Sequence, residues 1–316
     1  MSLTQPSAPA RKSMAWAAGP GQPTGRGVAD LSNGALGALM LFPAFALLGV
    51  IVVYPVCRLI WTSFFDLNLT THAGARFVGW DNYGLLFTDP VFWRALLNTI
   101  LITVITVPGA LVVGMVLALG ANLAFKRQWP VRLSLLIPWA LPLAFTGLIF
   151  AWFFNSQDGV VNDVFGRLGL PRFIWFNSPA LSMMTICLTI IWKTSSFMAL
   201  ILLAGLQSIP ASLYEAAEVD GAAKVRQFFE ITLPMLRPAI VAALIFRTIT
   251  ALQTFDIPYT MTRGGPGTTT VTLAMYIHQN TVDFLDLGYG SALAVVMFVL
   301  SMALTAIYLR NLRSPG

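Results

Sequence analysis

The sequence predicts an all-α membrane protein, and three observations carry that prediction. Apolar residues make up 57% of the 316-residue chain and charged residues only 10%, where a soluble domain has about a quarter of its residues charged. The apolar residues are gathered into long blocks, and mean hydropathy is +0.75. Six of those blocks reach the roughly 20 apolar residues that a helix needs to cross a bilayer. The length is therefore counted in spans rather than in soluble domains. The formal net charge of +6 does not point to nucleic acid, because no Lys/Arg run exceeds two residues.

Residues 1 to about 33 are rich in Pro, Gly, Ser and Ala and carry Arg11, Lys12 and Arg26. No apolar stretch follows these charges closely, so a cleavable signal peptide is not expected. The composition cannot bury a core. A disordered cytoplasmic tail over 1–33 and a membrane domain over 34–316 are the expectation. The six expected spans are Gly34–Val56, Leu96–Leu119, Leu133–Phe154, Leu181–Leu206, Pro238–Pro258 and Tyr289–Leu309. Pro43, Pro108 and Pro142 fall inside spans, which membrane helices tolerate where neighbours satisfy the freed carbonyls. Cys57 and Cys187 sit far apart in apolar blocks, with neither metal-ligand spacing nor a disulfide framework. Both read as small buried hydrophobes.

Basic residues in the flanks set the orientation. With the N-terminus inside, the cytoplasmic side holds Arg11, Lys12, Arg26, Lys126, Arg127, Arg132, Lys224, Arg226, Arg237, Arg310 and Arg313. The outer side holds Arg58, Arg76, Arg94, Arg167, Arg172 and Arg263. This is eleven against six, with Lys193 and Arg247 inside spans. Both termini are then cytoplasmic.

The loop between spans four and five, 207–237, is the most informative stretch. Ser208 is placed to cap a helix with Pro210 near its first turn, and Gly221 to end that helix in a left-handed conformation. Ala222 to Thr232 reads as a second helix, with Pro234 and Pro238 punctuating the approach to span five. Physical reasoning alone gives an exposed elbow, which could be a plain interfacial hairpin. The spacing adds more: Glu215, Ala216 and Ala217, then Gly221, then Ile231, Leu233 and Pro234. This pattern resembles the EAA loop of ABC importer permeases. Trp192-Lys193-Thr194 and Gly205-Leu206-Gln207-Ser208-Ile209-Pro210 are similar to the maltose and glycerol-phosphate branch. So are Phe246-Arg247-Thr248, Phe255-Asp256-Ile257-Pro258-Tyr259 and Gly264-Gly265-Pro266-Gly267. The resemblance covers roughly 34–313 and matches the six-span form.

The resemblance implies a type I ABC importer permease in a bacterial or archaeal inner membrane. It also implies a second homologous permease subunit, two ATPase subunits that bind ATP and Mg, and an extracytoplasmic binding protein that delivers a carbohydrate. Glu215, Ala216, Ala217, Asp220 and Gly221 are then the residues that couple this chain to the ATPase. The chain itself is expected to be no enzyme and to hold no cofactor or metal. Its Gly-rich run at Gly264–Thr268 lacks the Gly-Lys-Ser/Thr ending of a phosphate loop. His72 and His278 lie far apart in outer loops with no catalytic or metal constellation around them.

Inside the membrane, a charge facing lipid would cost at least about 2.5 kcal/mol, so Lys193 and Arg247 need a polar surround. Thr185, Thr189, Lys193 and Ser196 share one face of span four; Arg247, Thr250 and Thr254 share one face of span five. These stripes suggest a wet substrate pathway, with Gln253 and Asp256 nearer its outer end. The other reading is structural, either an interhelical pair or capping of broken backbone. Trp152, Trp192, Tyr259 and Tyr276 have rings suited to stacking on sugars, although aromatics near span ends commonly anchor the interface. A neutral oligosaccharide and an anionic glycerol phosphate both remain open as substrates. A secondary transporter working without ATP is the rival class. It calls for mid-membrane carboxylates or an inverted repeat, and spans one to four and six carry no acidic residue. A membrane-embedded enzyme would need a catalytic cluster that the sequence does not offer.

Overall fold

The computed structural model describes residues 33–71, 74–123 and 128–312. The expected tail, His72, Lys126, Arg127 and Arg313 lie outside these. The chain divides into two compact units with the boundary between Pro55 and Val56. The first unit holds helix α1, Asn33–Leu48, with Pro43 inside it, and a π-helical turn at Gly49–Val53. Helix α2, Tyr54–Thr62, continues across the boundary, so that Leu36–Thr62 is one apolar run of 27 residues.

In the second unit a two-residue hairpin, β1 (Phe65–Asp66) and β2 (Arg76–Phe77), precedes helix α3, Asp81–Thr88. Asp89 then caps α4, Pro90–Asn122, accepting a hydrogen bond from the Val91 N–H at 2.8 Å. Proline at the first helical position loses no needed donor there. Helices α5 (Gln128–Ala140) and α6 (Leu143–Phe153) follow, then the short outer helix α7, Val160–Arg167. Helix α8 runs from Pro179 to Gln207. Helix α9 is Ala211–Val219, α10 is Lys224–Gln227 and α11 is Leu233–Leu252. Two short helices, α12 (Asp256–Thr262) and α13 (Leu273–His278), lead to α14, Leu287–Leu312.

Five helical runs are long and apolar enough to cross a membrane, and the α5–α6 pair makes a sixth if counted as one. The expected span Leu133–Phe154 is thus not straight. It bends by 92° at the break between Ala140 and Leu143. Pro142 supplies no N–H to continue α5 and disfavours a helical conformation for Leu141. Span five also differs from Pro238–Pro258. It begins at Lys224, absorbs Pro234 and Pro238, and stops at Leu252, with α12 as a separate helix. The π turn at Phe228–Thr232 accommodates this start: the Leu233 N–H reaches back to the Phe228 carbonyl.

Helix α8 is the centre of the second unit. Of its apolar window 61% is buried, against 28% for α4 and 22% for α14. It packs along α4, where Ala110, Gly114 and Ala118 are buried small residues that let the backbones approach. One core cluster joins Ile102, Met183, Ile186, Ile190, Ile257 and Met261 around Trp175. Another joins Ala118, Leu135, Leu202, Leu206, Ile209 and Leu236 at the other end of α8. Cys187 belongs to the first cluster. Cys57, expected to be buried, lies on the surface of the chain.

Candidate functional site

Arg247 sits on α11 with only 4% of its surface exposed. Its Nη2 donates to Thr106 Oγ1 on α4 at 3.0 Å, and Nη1 to Thr250 Oγ1 at 3.4 Å. The buried Nε–H has no hydrogen-bond partner, and among the described residues Arg247 forms no ion pair. A buried guanidinium held only by two hydroxyls keeps donors and charge for an anionic or polyhydroxylated group. Beside it opens a cleft of about 110 Å³, lined by Thr194, Arg247, Thr250, Gln253, Thr254 and Asp256 together with Leu143, Ile190, Phe255 and Ile257. Five of the six intramembrane residues nominated from sequence therefore share one cleft.

Lys193 is the sixth, and it does not line that cleft. Its Nζ donates to the carbonyls of Pro138 at 2.6 Å, Trp139 at 2.7 Å and Leu141 at 2.5 Å. An ammonium has three N–H bonds, and all three are spent on the end of α5. This is the backbone-capping arrangement. The rest of the span-four stripe is dry as well. Thr185, Thr189 and Ser196 are fully or almost fully buried, with the Thr185 hydroxyl donating to the Ser182 carbonyl and that of Thr189 to the Thr185 carbonyl.

The elbow is built as the residues demand, with two changes. Ser208 does not cap α9; its hydroxyl donates to the Gly205 carbonyl at 2.7 Å and closes α8 instead. The stretch Ala222–Thr232 is a four-residue helix and a π turn rather than one continuous helix. Gly221 has φ +75°. Around it the Gly221 N–H meets the Glu218 carbonyl at 3.0 Å and the Ala222 N–H meets that of Ala217 at 2.8 Å. That pair of bonds is the Schellman stop of a helix, and its left-handed residue favours glycine. The Gln227 side chain donates to the Ala222 carbonyl at 3.0 Å, and Tyr214 and Thr232 share a hydroxyl contact at 2.9 Å. Lys224 pairs with Glu218, and Arg226 with Glu230 at 2.9 Å. Glu215, Ala216, Asp220 and Gly221 are exposed and Ala217 is half-buried. Val219, 88% exposed, Val225 and Phe229 put apolar surface beside them.

The sequence reading missed a third polar centre. Asp89 accepts from the hydroxyl of Tyr276 on α13, and from Tyr289 on α14 at 2.7 Å. Burial raises the Asp89 carboxyl, but the hydroxyls and the backbone N–H groups of Val91 and Phe92 outweigh it and hold the group below its usual range. Tyr276 is pushed up to about 12, first by burial and then by the Asp89 hydrogen bond. Tyr276 is buried and tied, so it is not a free face for stacking on sugar. A recess of about 590 Å³ adjoins Asp89 and shares no residue with the Arg247 cleft. The Gly-rich turn near it is held by Arg94 Nη1 donating to Thr268 Oγ1 and Asn98 Nδ2 donating to the Val271 carbonyl, at 3.0 and 2.9 Å. His278 packs against Phe255 rather than standing in solvent, with ring centroids 5.1 Å apart.

Known proteins share this arrangement. The family described as "Binding-protein-dependent transport system inner membrane component" matches residues 92–313. The sulfoquinovosyl glycerol transport system permease protein SmoG of Agrobacterium fabrum is 69% identical over 90% of this chain and 92% of its own. The trehalose/maltose transport system permease protein MalF of Thermococcus litoralis is 36% identical over 87% of this chain and 92% of its own. The fold is similar to a chain of the bacterial alginate ABC transporter crystallised with an alginate pentasaccharide-bound periplasmic protein. The TM-score there is 0.77 at 22% identity, over 88% of this chain and 94% of that one. The match in family, relatives and fold identifies the chain as a binding-protein-dependent transport system inner membrane component, the permease subunit of a carbohydrate ABC importer.

Proposed function

We propose that the chain forms part of the pore of an ATP-driven importer for an anionic glycoside of the sulfoquinovosyl glycerol kind. The observation that carries the substrate class is the 69% identity, over nine-tenths of the chain, to a permease named for that compound. The Arg247 cleft supports it chemically. A sulfonate carries a full negative charge and three acceptor oxygens, and Arg247 offers a buried cation whose Nε–H is unpartnered. Thr194, Thr250, Gln253 and Thr254 supply uncharged groups for sugar hydroxyls along the same wall. Asp256, half-buried at the outer end, would accept from hydroxyls and repel a misplaced anion. The substrate arrives from an extracytoplasmic binding protein.

In this reading the exposed elbow at Glu215–Gly221 docks on a separate ATPase subunit, which binds ATP and Mg, and passes its motion to α8 and α11. Ala216 permits close approach, Gly221 fixes the turn, and Val219 and Phe229 supply apolar contact. A homologous permease subunit completes the pore, and both termini lie in the cytoplasm, as the basic flanks indicate.

The test is ATP hydrolysis and uptake by the assembled complex with its binding protein in proteoliposomes. Sulfoquinovosyl glycerol should stimulate both, and a neutral glucosyl glycerol should not. Equal stimulation by the neutral glycoside would return the chain to the neutral-sugar class. Stimulation by glycerol phosphate alone would assign the other anion. Uptake without the ATPase subunits would sink the importer mechanism.

A further inference from the structure

We infer that Lys193 is a positioning residue, a pin that ties the elbow between α5 and α6 to α8 and so carries movement of α8 to the wall of the Arg247 cleft. The inference rests on the proposed reading of the Glu215–Gly221 loop as the ATPase contact. It starts from an unsatisfied helix end. The last carbonyls of any helix lack intrahelical donors, and the 92° bend after Ala140 turns the following chain away from them. Pro142 supplies no N–H. Three of these carbonyls, on Pro138, Trp139 and Leu141, converge on one ammonium from a different helix. The negative end of the α5 dipole favours a cation at this place. The pin is dry, with Lys193 5% exposed. Trp139 also stacks on Phe197 of α8 at 6.3 Å, so α5 meets α8 on both sides of the lysine.

The position of the pin gives it a mechanical role. Thr194, the next residue, and Ile190, one turn before, line the cleft from α8. Leu143, the first residue of α6 beyond the bend, lines it from the other side of the pin. Helix α6 is locked in turn to α12. A Cβ on Gly147 would stand 1.8 Å from Thr260 Oγ1 and 3.3 Å from the Ile257 backbone, so only glycine fits the crossing. Asp256 and Ile257 of α12 complete the cleft wall. At its other end α8 runs into the elbow through Ser208, with Leu206 and Ile209 packed against Leu236 of α11. A shift delivered to the elbow therefore reaches α8, and the lysine passes it to α6 and α12 together.

Lys193→Met keeps the bulk of the stem and removes the three donors; Lys193→Gln keeps two N–H bonds without the charge. The quantity to measure is substrate imported per ATP hydrolysed, in proteoliposomes holding equal amounts of assembled complex. Lys193→Met should lower this ratio about tenfold, the size set by leaving one buried acceptor unsatisfied, while basal hydrolysis continues and the KM for uptake stays unchanged. Lys193→Gln should fall between the two and serves as the readout if the methionine variant does not assemble. A wild-type ratio in the variants that assemble overturns the pin. A raised KM at an unchanged ratio assigns Lys193 to substrate binding instead and also overturns it. Failure of both variants to assemble makes the residue a folding element only, with the same consequence. Gly221→Val separates the two readings: if it keeps the wild-type ratio, the loop assignment fails by itself. If it uncouples while the Lys193 variants do not, only the pin fails.

Discussion

The polar stripes of α8 and α11 look alike in sequence and end in different surroundings. On α8, Thr185 and Thr189 are buried and bonded to their own helix, and Lys193 is consumed by three carbonyls. On α11, Arg247 is held by two hydroxyls and keeps an unpartnered N–H, while Thr250 and Gln253 are exposed in the same cleft. The difference lies in what each helix packs against. Helix α8 is enclosed by α4, α5 and α11, so every polar group on it must find a protein partner. Helix α11 is only 17% buried over its apolar window and can afford an open polar face. A mid-membrane charge is thus a sign of function only after its donors have been counted.

The largest effect that would break this comparison is at Arg247. Arg247→Met should cost about 2–5 kcal/mol in kcat/KM for an anionic glycoside, the range for removing one partner of a buried charge pair. Assembly should be unaffected, since Thr106 keeps its own helical environment. Uptake kinetics on the purified complex check it; a variant with wild-type kcat/KM would make the α11 stripe as structural as that of α8.

A smaller effect is expected at the elbow. Gly221→Val forces a β-branched side chain into a left-handed position at a cost of roughly 1–2 kcal/mol. Nothing lies within 4 Å of the added Cβ, so the strain is confined to the turn. The protein should insert normally and retain less ATPase on co-purification from membranes. Full retention with normal transport would leave the loop an ordinary surface hairpin.

The Asp89 centre should respond next, and its pH dependence has a definite sign. Its carboxyl is held below the ordinary value, so its contribution is complete above the unfolded value of about 3.9 and is lost as pH falls through the lower folded one. Between pH 5 and 8 the tie to Tyr276 and Tyr289 should therefore not change. Asp89→Asn should lower thermal stability of the solubilised protein by about 1–3 kcal/mol, as expected for a hydrogen bond to a charged group, equally across that window. A loss confined to low pH would contradict the assignment.

The smallest effect is predicted for the dry stripe. Thr189→Val preserves shape and removes a hydroxyl bonded only to its own helix, so stability and transport should change by less than about 1 kcal/mol. Impaired transport at normal expression would show that the α8 stripe is wetted during the cycle, and the contrast with α11 would weaken.

By itself the sequence determined the class of solvent, the apolar runs and the elbow, because each is written in local terms. Hydropathy over about 20 residues needs no tertiary partner. A Gly at the end of a helix dictates its own left-handed turn, and Gly221 adopts it. The tertiary structure alone decided which polar residues are free. Periodicity says that Lys193 and Thr189 share a face, but not what that face meets. The carbonyls that consume Lys193 lie more than fifty residues away, behind the bend after Ala140. The bend itself was hidden in an unbroken apolar run, since hydropathy does not register the direction of a helix. Asp89 likewise read as a loop acid beside Pro90, because its partners Tyr276 and Tyr289 come from the far end of the chain. Hydrogen-bond satisfaction in a buried site is a non-local condition, and only the folded chain brings together the groups that meet it.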